Sequence, residues 1–223
     1  MVRASNSVVG HFPTVLVTGF DAFGGATRNP SWMAVQALHG REIAGHRLIG
    51  ARLPTVFELS LEVLNTLLRR HRPALVICCG QAGGRAALSL ERVALNISDA
   101  RIADNAQARP VDTPVVPSGP AAYFTGLPIK AMLLALQDQE VTADVSQTAG
   151  TFVCNHVFYG LMHTLATQPE LRHARGGLIH VPWLPEQGEP SMPLDKIVQG
   201  LRIAIGCALT TTTDIRKEAG ALS

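Results

Sequence analysis

The sequence predicts a single-domain α/β fold, a three-layer α/β/α sandwich in which helices cover both faces of a mostly parallel, twisted sheet. Strand-like segments alternate with helical segments along the chain, which is the pattern of parallel sheets. Several strand-like segments are apolar throughout, as expected for strands that are buried on both faces. A length of 223 residues and a hydrophobic content of 47% suit one large domain of this kind.

We expect this domain to span residues 14–209. Residues 1–13 contain one arginine and no apolar core, so they are interpreted as a flexible N-terminal arm and not as a secretory signal. Residues 210–223 are predicted to form a polar C-terminal tail.

Six segments are predicted as strands because most are short, apolar and bounded by residues typical of turns. They are residues 14–19, 47–53, 74–79, 91–97, 143–146 and 176–181. A polar loop rich in Asp, Pro and Asn follows the fourth of them, from residue 98 to residue 120. Loops of this length in a compact domain are usually either functional or disordered.

Five helices are predicted from periodicity and from their start signals. Asn29 followed by Pro30 supplies a cap and a first-turn proline. Thr55 and Glu58 have the spacing of a capping box. Thr151 is the predicted N-cap of a fourth helix, which makes Cys154 its third residue. The helices begin near residues 30, 55, 127, 152 and 194.

Composition excludes several classes of function. The net charge is +2 and the basic residues are scattered, so neither nucleic acid nor a membrane surface is an expected partner. No apolar run has transmembrane length. Four cysteines in a chain of this length do not make a disulfide scaffold, which favours a reducing cytoplasm. No spaced metal-ligand motif or phosphate-binding glycine motif is present, so no metal and no cofactor are expected.

Cys154 is the candidate nucleophile because the start of a helix stabilises a thiolate, which is the reactive form of cysteine. His156 and His163 point to other sides of that helix. His180 ends an apolar strand, where an imidazole is costly without a partner, so it is the candidate base. Several charged residues could orient this base or stabilise an oxyanion, and spacing does not choose among them. The acids are Glu91, Asp99 and Asp104, and the cations are Arg85, Arg92 and Arg101.

Taken together, these segments resemble the pyroglutamyl peptidase I family of cysteine peptidases over residues 14–208. The resemblance rests on TGFDAFG at 18–24, GQAGGR at 80–85, ERVALN at 91–96, DARI at 99–102, and residues 148–156 with 177–182. One departure is Ala103, where the family usually has proline. Residues beyond 210 lie outside the resemblance.

The resemblance implies a catalytic triad of Glu91, Cys154 and His180, with Arg101 near the oxyanion. It implies a substrate pocket formed by Phe20, Phe23, Gln81, Ile102, Phe152 and Val153. The implied activity is removal of N-terminal pyroglutamate from peptides through a thioester, without a cofactor. The resemblance also implies a homo-oligomer, with a tetramer as one option.

Two alternatives remain open from the sequence. One is a related α/β enzyme of different chemistry, such as a nucleoside phosphorylase-like hydrolase, whose activity would survive thiol alkylation. The other is a non-catalytic binding domain on the same scaffold, which would keep its ligand binding when Cys154 is lost.

Overall fold

The computed structural model describes residues 13–220. The predicted N-terminal arm lies outside the described residues except for Pro13. Within the described part, the strands are β1 (Thr14–Phe20), β2 (Glu42–Ile43), β3 (His46–Leu53), β4 (Leu75–Gln81), β5 (Leu88–Glu91), β6 (Val93–Leu95), β7 (Ala122–Phe124), β8 (Ala143–Ser146) and β9 (Arg175–Val181). The helices are α1 (Pro30–Leu38), α2 (Phe57–His71), α3 (Ile129–Gln137), α4 (Val153–Thr167) and α5 (Leu194–Thr210).

Seven of these strands form one sheet in the order β2-β3-β1-β4-β9-β5-β8. Strands β3, β1, β4 and β9 are parallel to one another, and β5 is parallel to β8. Two contacts are antiparallel: β2 pairs with β3 at one edge, and β5 pairs with β9 inside the sheet. The prediction of a mostly parallel sheet is confirmed, and the reversal of β5 and β8 is the feature that the sequence did not reveal.

Helices cover both faces of this sheet, which confirms the three-layer sandwich. Helices α1, α3 and α5 pack together on one face, and α2 and α4 pack together on the other. Successive side chains of a strand point to opposite faces, so Val15 and Val17 enter one apolar core while Leu16 enters the other. This double burial explains why the central strands are apolar at every position.

The segment predicted as one strand at 91–97 is divided in the structure. Strand β5 ends at Glu91, and β6 begins at Val93 and pairs antiparallel with β7 in a separate two-stranded sheet. The chain turns at Arg92, whose N–H donates to Ser146 O (3.0 Å) and whose carbonyl accepts from Thr125 N (2.9 Å). Glu91 therefore lies in the main sheet, at the carboxyl end of its strand.

The predicted capping box at α2 is wrong. The Thr55 hydroxyl donates to Asp21 O (3.1 Å) and does not cap the helix. Asp104, from the long loop, takes that role because its Oδ2 accepts from Phe57 N (3.0 Å). Its Oδ1 accepts from Ala106 N and Ala108 N (2.9 and 2.8 Å). A buried carboxylate distant in sequence thus caps the helix and closes its own loop.

The predicted start of α4 is also shifted by one residue. The Thr151 hydroxyl donates to Asp99 O (2.7 Å), and Phe152 occupies the N-cap position without a side-chain capping bond. Helix α4 begins at Val153, so Cys154 is its second residue. The first-turn N–H groups consequently lack a side-chain acceptor at the N-cap.

The residues after α5 fold back onto the domain. Asp214 accepts from the backbone N–H groups of Lys130 and Ala131 (3.1 and 2.9 Å), so its carboxylate caps the start of α3. Arg92 donates to Ala219 O (3.2 Å). No helix within residues 13–220 combines the length and apolar character needed to cross a membrane.

Candidate active site

Cys154 and His180 meet above Gly80, at the carboxyl ends of the central strands. Cys154 lies in the first turn of α4, and His180 is the penultimate residue of β9, opposite Gly80 of β4. A Cβ atom placed on Gly80 would lie 2.7 Å from Cys154 Sγ and 3.0 Å from His180 Nε2. The thiol and the imidazole therefore approach the same point, and only glycine leaves room for both.

The third partner reaches His180 because β5 runs antiparallel to β9. Ser89 lies opposite His180 in that pairing, and Glu91 is two residues further along the same face of β5. Glu91 Oε1 lies 2.7 Å from His180 Nδ1. Both side chains are almost completely buried. Since Nδ1–H donates to the carboxylate, Nε2 is left as the acceptor that faces the thiol.

The Glu91 carboxylate remains ionised in this buried position. Burial raises the pKa of Glu91, but hydrogen bonding to His180, the charge that His180 can carry, the nearby Ser146 side chain and the hydrogen bond from Arg85 together outweigh it. The net effect holds the pKa of Glu91 below its usual value. The ionised carboxylate therefore fixes the tautomer of neutral His180, with the proton on Nδ1.

The prediction that Cys154 is stabilised as a thiolate by its position is wrong for the resting site. Burial, the Glu91 carboxylate and the neighbouring Cys78 raise the pKa of Cys154 to about 12, although Arg85 and a backbone hydrogen bond oppose this. The partial positive charge of one helix end is thus outweighed by desolvation and a nearby anion. At neutral pH the group is a thiol, so reaction requires a base that removes its proton.

The remaining charged candidates lie elsewhere or have other partners. Asp99 is exposed, and Asp104 is occupied as the cap of α2. Arg92 contacts the C-terminal tail. Arg101 is exposed, and no hydrogen bond of its side chain is found among residues 13–220. The role of Arg101 at an oxyanion therefore stays a prediction.

Three of the six predicted substrate-binding residues line one open cleft beside this site. The cleft has a volume of about 870 Å³. Its lining includes Phe23, Gln81 and Ile102, together with Trp183, Glu186 and Gln187. Phe152 stands next to it, with its ring centroid 5.8 Å from that of Phe23. The two rings form an apolar wall at the beginning of α4.

The other two predicted pocket residues are inside the core. Phe20 is 1% exposed and Val153 is 0% exposed, and both belong to the apolar cluster under α2 and α4. In this structure they are core residues and do not form the accessible surface of the cleft.

One buried polar residue beside Cys154, Asn155, was not singled out from the sequence. Asn155 is completely buried; its Oδ1 accepts from Leu95 N, and its Nδ2 donates to Leu95 O and Ile97 O, each at 2.9 Å. These bonds fix the first turn of α4 to β6. An asparagine inside an apolar helix, next to Cys154, was the available signal, since asparagine is a poor helix former.

His156 is buried on another side of α4, where its Nδ1 lies 3.0 Å from Ser98 Oγ. Burial lowers its pKa to about 4, so it is a neutral structural histidine. Within residues 13–220 no cluster of three or more potential metal-binding side chains is found.

Comparison with known proteins identifies the family. The sequence profile described as pyroglutamyl peptidase matches residues 13–211. The chain is 54% identical to the pyrrolidone-carboxylate peptidase of Cupriavidus taiwanensis and 57% identical to pyrrolidone-carboxylate peptidase 1 of Ralstonia nicotianae, with 94% of this chain and 99% of each relative covered.

Solved structures agree with this relationship. The crystal structure of pyroglutamyl peptidase I from Bacillus amyloliquefaciens superimposes with a TM-score of 0.90 at 46% identity, covering 93% of this chain and all of that one. The pyrrolidone carboxyl peptidase of Thermococcus litoralis gives a TM-score of 0.85 at 31% identity, covering 88% of this chain and 93% of that one. Neither alternative left open by the sequence finds support in these relatives, and the chain belongs to the pyroglutamyl peptidase family.

Proposed function

We propose that this protein is a cysteine exopeptidase, an omega peptidase that removes N-terminal pyroglutamate from peptides. The observation that carries the proposal is the placement of His180 between Glu91, at 2.7 Å, and the Cys154 sulfur above Gly80. A nucleophile, a base and an orienting carboxylate in this order are the parts of a covalent acyl-transfer site. Membership of the pyroglutamyl peptidase family supports the choice of acyl group.

The reaction begins with a proton transfer, because the resting Cys154 is a thiol. His180 Nε2 takes the proton as the sulfur attacks the carbonyl carbon of the pyroglutamyl residue. Glu91 holds the ring through Nδ1 and stabilises the imidazolium. The imidazolium then gives its proton to the leaving amine, the shortened peptide departs, and a thioester remains. Water, deprotonated by His180, hydrolyses the thioester and releases free pyroglutamate and the thiol.

The start of α4 supplies donors for the oxyanion. The first hydrogen bond of the helix runs from His156 N to Phe152 O (3.1 Å). The backbone N–H groups of Val153, Cys154 and Asn155 therefore have no partner within the helix. Such donors, with Arg101 as a further candidate, stabilise negative charge that develops on the attacked carbonyl oxygen.

The cleft supports a preference for the lactam ring. The apolar wall of Phe23 and Phe152 suits a flat, uncharged ring, which loses water favourably on contact with it. The lactam N–H and C=O need polar partners, and backbone groups of the loops after the strands, with Gln81, are the candidates. Glutamine and proline at an N-terminus carry an ammonium charge, and burying that charge unpaired is costly.

The test is release of a reporter amine from pyroglutamyl, prolyl and glutaminyl amides. We expect kcat/KM for the pyroglutamyl amide to exceed the other two by on the order of 10³-fold or more, because the wrong substrates leave buried polar groups unpaired. Phe23→Ala should reduce kcat/KM for the pyroglutamyl amide more than for the other two. Equal values for the pyroglutamyl and prolyl amides would contradict the pocket, and no hydrolysis of any of the three would contradict the function.

We also propose a homo-oligomer in a reducing, cytoplasmic setting. Support comes from the resemblance and from the four cysteines, none of which is paired in a disulfide among the described residues. Light scattering should give a mass that is a multiple of the 23.8 kDa chain. A monomer mass at every working concentration would refute the oligomer.

A further inference from the structure

Arg85 joins two parts of the site that are far apart in sequence. It lies in the loop between β4 and β5. One guanidinium nitrogen donates to Glu91 Oε1 (2.7 Å), and the other donates to Thr148 O (3.2 Å). Thr148 belongs to the segment that leads from β8 into the helix of Cys154. A single planar group thus bridges the carboxylate of the proposed triad and the chain that delivers the nucleophile.

In its contact with Glu91, the Arg85 guanidinium balances the negative charge of the buried carboxylate. Glu91 is completely buried, whereas the Arg85 side chain is 30% exposed. Both His180 Nδ1 and Arg85 meet the same oxygen, Oε1. When His180 is the neutral base of the proposed reaction, Arg85 is the one permanent cation paired with Glu91 among residues 13–220. A buried carboxylate without such a partner is strongly disfavoured.

The contact with Thr148 acts on the nucleophile side. Thr148 O also accepts from Ser146 Oγ (2.9 Å), and Thr148 Oγ1 accepts from Gly150 N (3.1 Å). These local bonds form a compact turn, yet within the described residues Arg85 is the side chain that ties this turn to Glu91. That turn leads directly into α4, so the bridge acts on the position of Cys154 together with the bonds that Asn155 makes to β6.

We propose that Arg85 is a positioning residue of the hydrolytic reaction. By bridging Glu91 and Thr148, it holds the Glu91 carboxylate against the imidazole ring of His180. The same bridge holds the turn before α4 so that Cys154 faces that ring. The inference rests on the proposed function for its kinetic consequence. The geometric part of the inference is independent of the proposed function, because the reactivity of the Cys154 thiol can be measured without any peptide substrate.

The kinetic test compares Arg85→Gln and Arg85→Lys with the wild type. Arg85→Gln removes both the charge and the bridge, and we expect kcat to fall on the order of 10²-fold with little change in KM, as expected when reacting groups are misplaced. Arg85→Lys keeps the charge but cannot bridge as a planar fork, so kcat should be intermediate. Arg69→Gln is the matched control, because Arg69 is exposed on α2 and bonds only Thr66 among the described residues.

The pH profile separates positioning from a general loss of structure. The titratable groups that face Glu91 are His180 from β9, Arg85 from its loop and Cys154 from α4. Arg85 helps to lower the pKa of Glu91, so its loss raises that pKa. Activity that needs the carboxylate is lost as pH falls through this pKa. The acid limb of kcat/KM should therefore move to higher pH in Arg85→Gln and stay in place in Arg69→Gln.

Alkylation of Cys154 provides the readout that needs no substrate. Arg85 opposes the raised pKa of Cys154, so Arg85→Gln should alkylate more slowly than the wild type at each pH. If the wild type does not hydrolyse pyroglutamyl amides but alkylation is slowed in Arg85→Gln and also in Arg85→Lys, which keeps the charge, the proposed function fails and the bridge stands. Unchanged kcat, pH profile and alkylation in Arg85→Gln would overturn the inference. If Arg85→Gln does not fold, Arg85→Lys decides, and wild-type behaviour in that variant overturns the bridge.

Discussion

Cys154→Ala is expected to abolish hydrolysis of pyroglutamyl amides, with kcat falling by on the order of 10⁵-fold or more, since no group remains to form the thioester. The protein should stay folded, because the side chain is only partly buried at the surface of the core and its removal leaves the hydrogen bonds of Asn155 in place. Reporter-amine release, measured beside a thermal unfolding curve, checks both statements.

The control for this variant is Cys207→Ala. Cys207 lies in α5, and its sulfur contacts the Thr211 hydroxyl at 3.8 Å, so its loss should leave turnover unchanged. Alkylation should inactivate the enzyme, and peptide mapping should locate the modification at Cys154. Cys78 is fully buried and burial raises its pKa to about 12, so it should stay unmodified. Near-full turnover by Cys154→Ala protein free of wild-type enzyme would refute the mechanism.

His180→Ala is the second variant for which a very large effect is expected. Because burial and Glu91 raise the pKa of Cys154 to about 12, the thiol needs a base, and we expect kcat to fall by on the order of 10⁴-fold or more without one. The residual activity should rise with pH, since hydroxide increases the thiolate fraction. Steady-state kinetics between neutral and alkaline pH test this expectation.

Two comparisons sharpen that experiment. His173 is exposed, so His173→Ala should behave as the wild type. Glu91→Gln combined with His180→Ala should lose little more activity than His180→Ala alone, because Glu91 acts through His180. A double variant whose losses multiplied would show that Glu91 acts independently of the imidazole.

Local patterns in the sequence determined the architecture. Alternation of strand and helix segments implied a parallel sheet, and strands that are apolar at every position implied helices on both faces. Both conclusions need only the local sequence, since the spacing of apolar residues along a segment reflects its periodicity and its burial. The motif around Cys154 and the strand that ends at His180 also placed these two side chains at one edge of the sheet, and the resemblance supplied Glu91 and the substrate class.

Tertiary structure alone decided the relations that depend on distant segments. Sequence spacing did not distinguish Glu91, Asp99 and Asp104 as partners of His180. In the structure, the reversal of β5 brings Glu91 to within 2.7 Å of His180. Asp104 instead caps α2, and Asp99 faces solvent. The protonation state of Cys154 likewise could not be predicted from the sequence. Desolvation and the charge of Glu91 raise its pKa and outweigh the effect of the helix end that suggested a thiolate. Strand direction, burial and the field of a remote charge are properties of packed segments, and no local run of residues encodes them.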